Sequence, residues 1–403
     1  PLEPMGHEML IDLNHHCLSR RVLVGPVPTM KPAPTHRTAA KTGGYLMAEM
    51  MNAALMYGPG DIRVEQVPKP TCPPGGFVLR VDAVGLCGSD IRNLTTDSRK
   101  GDYPFIYGHE VVGTVCETAD GVDEYKAGDR IYVYPEAHCL KCEYCRSGQS
   151  NLCTDVEHYV GRPGGFAEYI SYTSKRVERG ATFRVPERIS PVRASLAEPL
   201  SSAYSCVENI NVKLGDTVAI LGAGPVGIFL SILSKLRGAS RIILIDISKN
   251  RLTRGLDFGV DEIINSSDVD PIDAVRDLTH GLGADKAISA NPTTLGQQQA
   301  VVMTRPGGTT VFFGGVPKGT CVSLDSNSVH YKGLWIYGHY GATSVQVQKA
   351  FELVIDDKFP AEQVISKILP LSRINDAIEL TRTGEALKVV LVPDGKESEH
   401  HGK

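Results

Sequence analysis

The stretch TVAILGAGPVGIFLSILSKLRGASRIILID, residues 217 to 246, decides the fold. TVAIL is a short apolar run, GAGPVG follows at once, IFLSILSKLRG has helical spacing and RIILID begins a second strand, so the segment reads as a βαβ unit. A lone G-x-G-x-x-G is weak, but one that leaves a strand, opens a helix and is answered by an acid at the end of the next strand is a dinucleotide-binding fingerprint. Gly222 takes the tight turn, Gly224 lets backbone approach a pyrophosphate at the positive end of the helix, and Gly227 lets helix and strand pack closely. Pro225 and Val226 belong to the same cofactor-binding turn. Asp246 is placed to accept hydrogen bonds from the adenosine ribose, and its charge repels the extra phosphate of NADP, which makes NAD the expected cofactor. The blander reading is that Asp246 only caps a helix starting near Ser248. EIINS, KAISA, TTVFFGG and LWIYG continue the alternation to about Gly338, so the fold class is α/β with a doubly wound parallel sheet.

Composition supports a globular chain around that unit. Of 403 residues, 42% are hydrophobic and 22% charged, with a net charge of −4, which gives enough apolar surface for a large core and no attraction for nucleic acid. The length suggests two domains, with room for one to interrupt the other. The longest apolar stretch, from Val218, is short for a bilayer and carries three glycines and a proline, so no membrane span is expected.

CLKCEYCRSGQSNLC, residues 139 to 153, holds Cys139, Cys142, Cys145 and Cys153 at C-x2-C-x2-C-x7-C. The other six of the ten cysteines are scattered singly, which fits a reducing, cytoplasmic setting better than a disulfide scaffold. Four clustered thiolates are costly without a cation, so the loop reads as a tetrahedral zinc site, with redox cycling of a C-x2-C pair as the alternative. Such a site is saturated and explains how a lobe is held, not what the protein does.

Residues 1 to 46 show no sustained period; five basic residues and no acid between Arg20 and Leu46 resemble a transit peptide, but an extension outside the fold is the plainer reading. Beyond them, AALMYGPGDIRVEQVP and GFVLRVDAVGLCGSD alternate apolar and polar residues around Gly and Pro turns, as a β-rich lobe to about Ser190 would. Cys87 in GLCGSD and His109 in YGHEVVG sit in this lobe, with Glu110 and Glu198 as carboxylate candidates. Each alone is more often a core residue. Together with a dinucleotide domain they suggest an open zinc site.

In order, GLCGSD, GHEVVGTV, the four-cysteine loop, GGFAEYI, AEPLSSA and LGAGPVG resemble the zinc-dependent medium-chain dehydrogenases/reductases, most of all their sorbitol and threonine dehydrogenase branch, over about Met51 to Pro393. The resemblance implies a GroES-like β-rich catalytic domain interrupted by a Rossmann domain: a leader at 1–46, catalytic domain at 47–200 with a structural zinc lobe at 136–155, NAD-binding domain at 201–340, and a return to the catalytic domain with a tail at 341–403. It implies two zincs per chain. Cys87 and His109 carry over as catalytic zinc ligands, with Glu198 and Glu110 as carboxylates for the metal or its water, the choice between them left open. Bound zinc would acidify a substrate hydroxyl and the carbon would pass hydride to NAD. Ser89 resembles the first proton-relay hydroxyl, or is a turn residue bonding local backbone. Asp90 would support the zinc ligands from behind. Arg251 falls among the cofactor contacts, and Lys388 in GEALKVVLVP matches a basic position that meets the cofactor pyrophosphate, or is a solvated surface lysine. The family assembly implies a homodimer or homotetramer, built on the apolar border strand LWIYG.

Two positions depart from the pattern. Arg92 stands where many relatives carry a relay histidine, and guanidinium does not release a proton at working pH. It is expected to act as a fixed charge near the zinc, pairing with a phosphate or substrate carboxylate, or else as a surface salt bridge. Gly338, His339, Tyr340 and Gly341 stand where sorbitol dehydrogenases tend to place a pocket arginine, which makes sorbitol itself doubtful and leaves a small secondary alcohol, polyol or sugar-derived alcohol as the expected substrate, with Arg92 and Asn93 as polar contacts. The alternatives are a zinc-free reductase of the same superfamily, a non-catalytic dinucleotide-binding protein, or a zinc-ribbon interaction module, which would have no use for GAGPVG and Asp246.

Overall fold

The structure, a computed structural model, describes residues 48–96, 100–158 and 164–396. The leader read at 1–46 lies outside the described residues.

The βαβ unit organises an all-parallel sheet of six strands in the order Glu262–Asn265, Arg241–Asp246, Thr217–Leu221, Ala284–Ser289, Thr304–Phe312 and Trp335–Gly338. Every expected strand segment contributes one. Val218, Ala219 and Ile220 are fully buried, as a central parallel strand covered on both faces requires. The helix Pro225–Leu236 starts with proline at its first turn, where the missing N–H has no partner to lose, and buries Ile228, Phe229 and Leu230 against the sheet. Its first turn lies so close to the preceding loop that a Cβ on Gly227 would sit 1.9 Å from the Gly222 carbonyl oxygen, while Gly222 itself holds φ +118°. Strand order reverses between Thr217–Leu221 and Ala284–Ser289, which opens a crevice at the carboxyl ends of those strands.

The β-rich part is a seven-stranded sheet running Thr182–Arg184, Arg130–Val133, Glu110–Thr118, Phe77–Gly85, Lys388–Val392 and Ile365–Pro370, with Tyr169–Tyr172 also on Phe77–Gly85. The last strand of the chain thus returns across the whole parallel sheet in sequence to pair with Phe77–Gly85, at Val390 with Gly85 and Leu391 with Val84. A GroES-like β lobe is interrupted by a Rossmann sheet. Phe77–Gly85 does not alternate inside and outside as its sequence suggests: all but Arg80 are buried, because neighbouring elements cover both faces.

Residue 200, read as the last of the catalytic domain, falls inside the continuous helix Ala197–Asn209. That helix packs on both Pro225–Leu236 and Ser344–Val354, and Tyr132 of the β lobe stacks on Phe351 with centroids 5.8 Å apart and planes 8° apart. One apolar core therefore runs from Val112 and Tyr132 through Leu200 to Val218 and Phe229. The helix is both the exit from one lobe and part of the core of the other, which local sequence pattern could not divide. Among the described residues, no helix is long and apolar enough to cross a membrane.

Candidate active site and metal centres

Cys87 follows the central strand Phe77–Gly85 and caps the short helix Gly88–Leu94. Its backbone N–H donates to Asp90 Oδ2 at 3.1 Å, and Asp90 Oδ1 lies 3.2 Å from His109 Nδ1. One buried carboxylate therefore holds both segments. With the Nδ1 proton engaged by Asp90, His109 presents Nε2, the arrangement in which a carboxylate orients a metal-binding imidazole. Ligand atoms of Cys87, His109 and Glu110 lie within 4.8 Å of one another. Glu198, in the first turn of Ala197–Asn209, brings Oε1 to 4.0 Å from His109 Nε2.

Glu110 is fully buried; its Oε2 accepts from Lys388 Nζ at 2.5 Å, and its Oε1 is buried with no hydrogen-bond partner among the described residues. A buried carboxylate with one unpartnered oxygen, grouped with a thiol and an imidazole, fits a zinc ion with thiolate, nitrogen and oxygen donors. The charges agree. Burial works against protonated His109, yet Asp90 and Cys87 hold its pKa well above the ordinary imidazole value. Burial pushes Glu198 up to about 7, against the pull of His109 and with the repulsion of Glu110. These acids together call for a cation.

In the second cluster the four thiol sulfurs lie within 4.8 Å of one another, with Cys139 to Cys145 at 4.0 Å and Cys142 to Cys153 at 3.9 Å. Four sulfurs about 2.3 Å from a tetrahedral zinc stand roughly 3.8 Å apart, whereas a disulfide would need about 2.05 Å. The backbone amides of Cys145 and Thr154 help bring Cys142 down to about 6, while burial and its thiol neighbours push Cys145 up to about 12. Among the described residues no two cysteines are joined by a disulfide.

A cleft of ≈ 340 Å³ is lined by Cys87 and Glu110 and also by Gly224, Val226 and Arg251, so the metal donors and the glycine turn share one cavity. A Cβ on Gly224 would meet nothing within 4 Å, and that open space is what a phosphate needs. Asp246 does more than cap. Its Oδ2 accepts from Ala223 N at 2.7 Å and its Oδ1 from Ser248 N at 2.8 Å, pinning the carboxylate between the glycine turn and the next helix with acceptor capacity left for hydroxyls. Pro225 and Val226 line the cleft, and Arg251 donates from Nη2 to Thr381 O at 2.9 Å.

Two expectations change. Arg92 is exposed, and its Nη1 donates to the carbonyl of Gly315 at 3.2 Å, so it ties the Cys87 helix to the loop after Thr304–Phe312 instead of forming a surface salt bridge. Lys388 is not solvated: it is 2% exposed, its ammonium is bound to Glu110 and to the carbonyl of Leu86 at 3.0 Å, and it lines the same cleft as Gly224 and Arg251. The signal was a lysine heading the otherwise apolar strand KVVLV. Ser89 sits half-buried in the first turn of Gly88–Leu94, two residues from Cys87. Sequence reasoning did not find the pairing of His339 Nε2 with Ser202 Oγ at 3.2 Å, one helical turn beyond Glu198. His339 is 8% exposed and stacks on Phe313 with centroids 4.6 Å apart.

A parallel nucleotide-type sheet set into a GroES-like lobe, with a Cys-His-Glu cluster at the cleft and four thiols in a side loop, defines a zinc-dependent dehydrogenase. The family model described as "Alcohol dehydrogenase GroES-like domain" matches residues 73–180, and "Zinc-binding dehydrogenase" matches residues 225–356. The chain is 31% identical to the sorbitol dehydrogenase of Bacillus subtilis, over 87% of this chain and 99% of that enzyme. It is also 31% identical to the L-threonine 3-dehydrogenase of Symbiobacterium thermophilum, over 87% of this chain and all of that one. A solved structure described as a zinc-binding dehydrogenase from Sinorhizobium meliloti, bound to NADP, is 28% identical with a TM-score of 0.78, covering 86% of this chain and 100% of that one. The chain belongs to the zinc-dependent medium-chain dehydrogenase/reductase family, in its sorbitol and threonine dehydrogenase-like branch.

His339 gives a prediction. Burial lowers its pKa to about 4, below the roughly 6.5 of an unfolded histidine. A depressed folded pKa contributes stability above pH 6.5 that is lost as pH falls through 4, up to about 3 kcal/mol. Thermal melts between pH 7 and 4 should show a flatter acid loss for His339→Gln than for the wild type; parallel curves would show that His339 is not the acid-sensitive group.

Proposed function

We propose that this chain oxidises a small secondary alcohol, of the polyol or sugar-derived kind, to its ketone with NAD, using Cys87, His109 and Glu110 to hold a catalytic zinc and Cys139, Cys142, Cys145 and Cys153 to hold a structural one. The observation that carries the reading is the cluster of Cys87, His109 and a Glu110 carboxylate whose Oε1 is buried with no partner among the described residues, at the cleft that also contains the glycine turn. It also favours Glu110 over Glu198 as the third ligand. Zinc held by these residues would supply a Lewis acid to polarise a substrate oxygen and acidify its proton, with NAD as the hydride acceptor.

The chain's own residues do the rest. Asp90 fixes His109 through Nδ1 and Cys87 through its backbone N–H, so the donor atoms keep their geometry. Glu198, with Oε1 4.0 Å from His109 Nε2, offers a carboxylate for the departing proton, and Ser89, in the first turn of Gly88–Leu94, offers a hydroxyl. Arg92 cannot relay it, and its Nη1 instead donates to the carbonyl of Gly315 in the loop after Thr304–Phe312. The relatives named sorbitol, erythritol/L-threitol and L-threonine dehydrogenases support the same substrate class.

Four cysteines gathered in a metal-type cluster and not paired as disulfides support a reducing, cytoplasmic location. For assembly, the border strand Trp335–Gly338 leaves Trp335 73% exposed, with Tyr331 of the preceding helix 83% exposed, and this supports a homodimer or a tetramer of dimers closed over that edge. Light scattering at micromolar concentration should give at least twice the chain mass, with Trp335→Glu shifted towards the monomer. A wild-type monomer would refute this.

A screen of polyols and secondary alcohols with NAD, read as absorbance of reduced cofactor, should find turnover that Cys87→Ser abolishes. Turnover surviving in Cys87→Ser would favour the zinc-free reductase reading, and no turnover with any alcohol the non-catalytic one. Asp246→Ser removes a ribose acceptor and a negative charge, so it should weaken NAD use and improve NADP use by roughly tenfold or more in the ratio of kcat/KM values, the scale of one lost charge-assisted hydrogen bond. An unchanged ratio would place cofactor choice elsewhere.

A further inference from the structure

Lys388 is one of the most deeply buried charged side chains described, and the proposed reaction gives it no chemical role. Its strand, Lys388–Val392, is buried at every position. At its head the ammonium meets two acceptors only, Glu110 Oε2 at 2.5 Å and the carbonyl of Leu86 at 3.0 Å, among the hydrogen bonds described. Leu86 directly precedes Cys87, and Glu110 directly follows His109. One cation therefore grips, from behind, both segments that present the Cys87 thiol and the His109 imidazole.

The strand register makes the contact specific. Gly85 pairs with Glu110 on one side and with Val390 on the other. A Cβ at Gly85 would lie 1.8 Å from Glu110 Oε2, so the path from carboxylate to ammonium is open only because residue 85 has no side chain. With Oε2 held by Lys388, only Oε1 remains, and that is the oxygen without a partner. A carboxylate with both oxygens free could swing, or bind a metal through either or both.

We propose that Lys388 is a positioning residue of the Cys87 metal site: by holding Glu110 Oε2 and the Leu86 carbonyl with one buried ammonium, it leaves Oε1 as the single carboxylate oxygen offered to the metal. The inference rests on the zinc reading above. Lys388 also compensates charge, since Cys87, Asp90, Glu110 and Glu198 supply more negative groups than a divalent ion and one imidazole can balance. Residues that orient metal ligands in this way change metal affinity by roughly 10–100-fold when removed.

The test is release of zinc from the purified full chain, without NAD, to the colorimetric chelator 4-(2-pyridylazo)resorcinol, with Cys142→Ser identifying which phase belongs to the four-cysteine loop. Lys388→Met should loosen zinc at the Cys87 site by roughly 10–100-fold while the loop zinc is released as in the wild type. Gly85→Ala, which displaces Glu110 without touching Lys388, should do the same, and Lys388→Arg, which keeps the charge, should fall between. Wild-type release from Lys388→Met overturns the proposal, as does equal loosening of both zincs, which would mean a merely structural role. A Lys388→Met chain that weakens NAD binding but keeps both zinc phases also overturns it, in favour of a cofactor-phosphate role. If the wild type itself holds zinc only in the loop, the zinc reading fails before Lys388 is reached.

Discussion

The pairing of Lys388–Val392 with Phe77–Gly85 closes the β lobe across some three hundred residues of chain. Everything between must leave the lobe, build the parallel sheet and come back to the same strand. Because the returning strand is parallel to Ile365–Pro370 and antiparallel to Phe77–Gly85, it can sit only between them, and both of its faces are buried. Its first residue then lands beside Glu110, and its lobe faces the Rossmann crevice across the cleft. The metal donors and the glycine turn share a cavity because this one closure brings their carriers together.

The two cysteine-bearing sites show how one element's chemistry is divided between support and reaction. In the loop at 139–153 the donors come from a single short segment, so local chain geometry suffices to gather them, and four sulfurs leave no place for a substrate. The Cys87 cluster draws on a strand end, the residues at the start of a second strand and a helix from beyond both. It offers mixed donors and an uncommitted oxygen, and its charges are balanced by groups from the far end of the chain. Such a site exists only when the fold is complete, which ties metal binding at the reactive centre to correct packing of the two lobes.

Burial sets the working groups apart from their supports. It moves the pKa of Glu198 up and that of His339 down, while Asp90 anchors the segments that carry Cys87 and His109.

By itself the sequence determined what local pattern can encode. The run from Thr217 to Asp246 specifies strand, glycine turn, helix and acid because each depends on residues a few positions apart, and the four cysteines are legible for the same reason. Cys87, His109, Glu110 and Glu198 could be nominated one by one through resemblance, but not ranked. Only the tertiary structure gave Glu110 a buried oxygen without a partner among the described residues, which is the ground for proposing it over Glu198. It alone made Lys388 the buried counter-ion of Glu110 instead of a solvated surface lysine, a contact between residues 278 positions apart. It likewise committed Arg92 to Gly315, 223 positions away. The physical reason is common to all three: a side chain's partner across a long loop is fixed by strand register and by what burial leaves unsatisfied, and neither is written in the residues next to it.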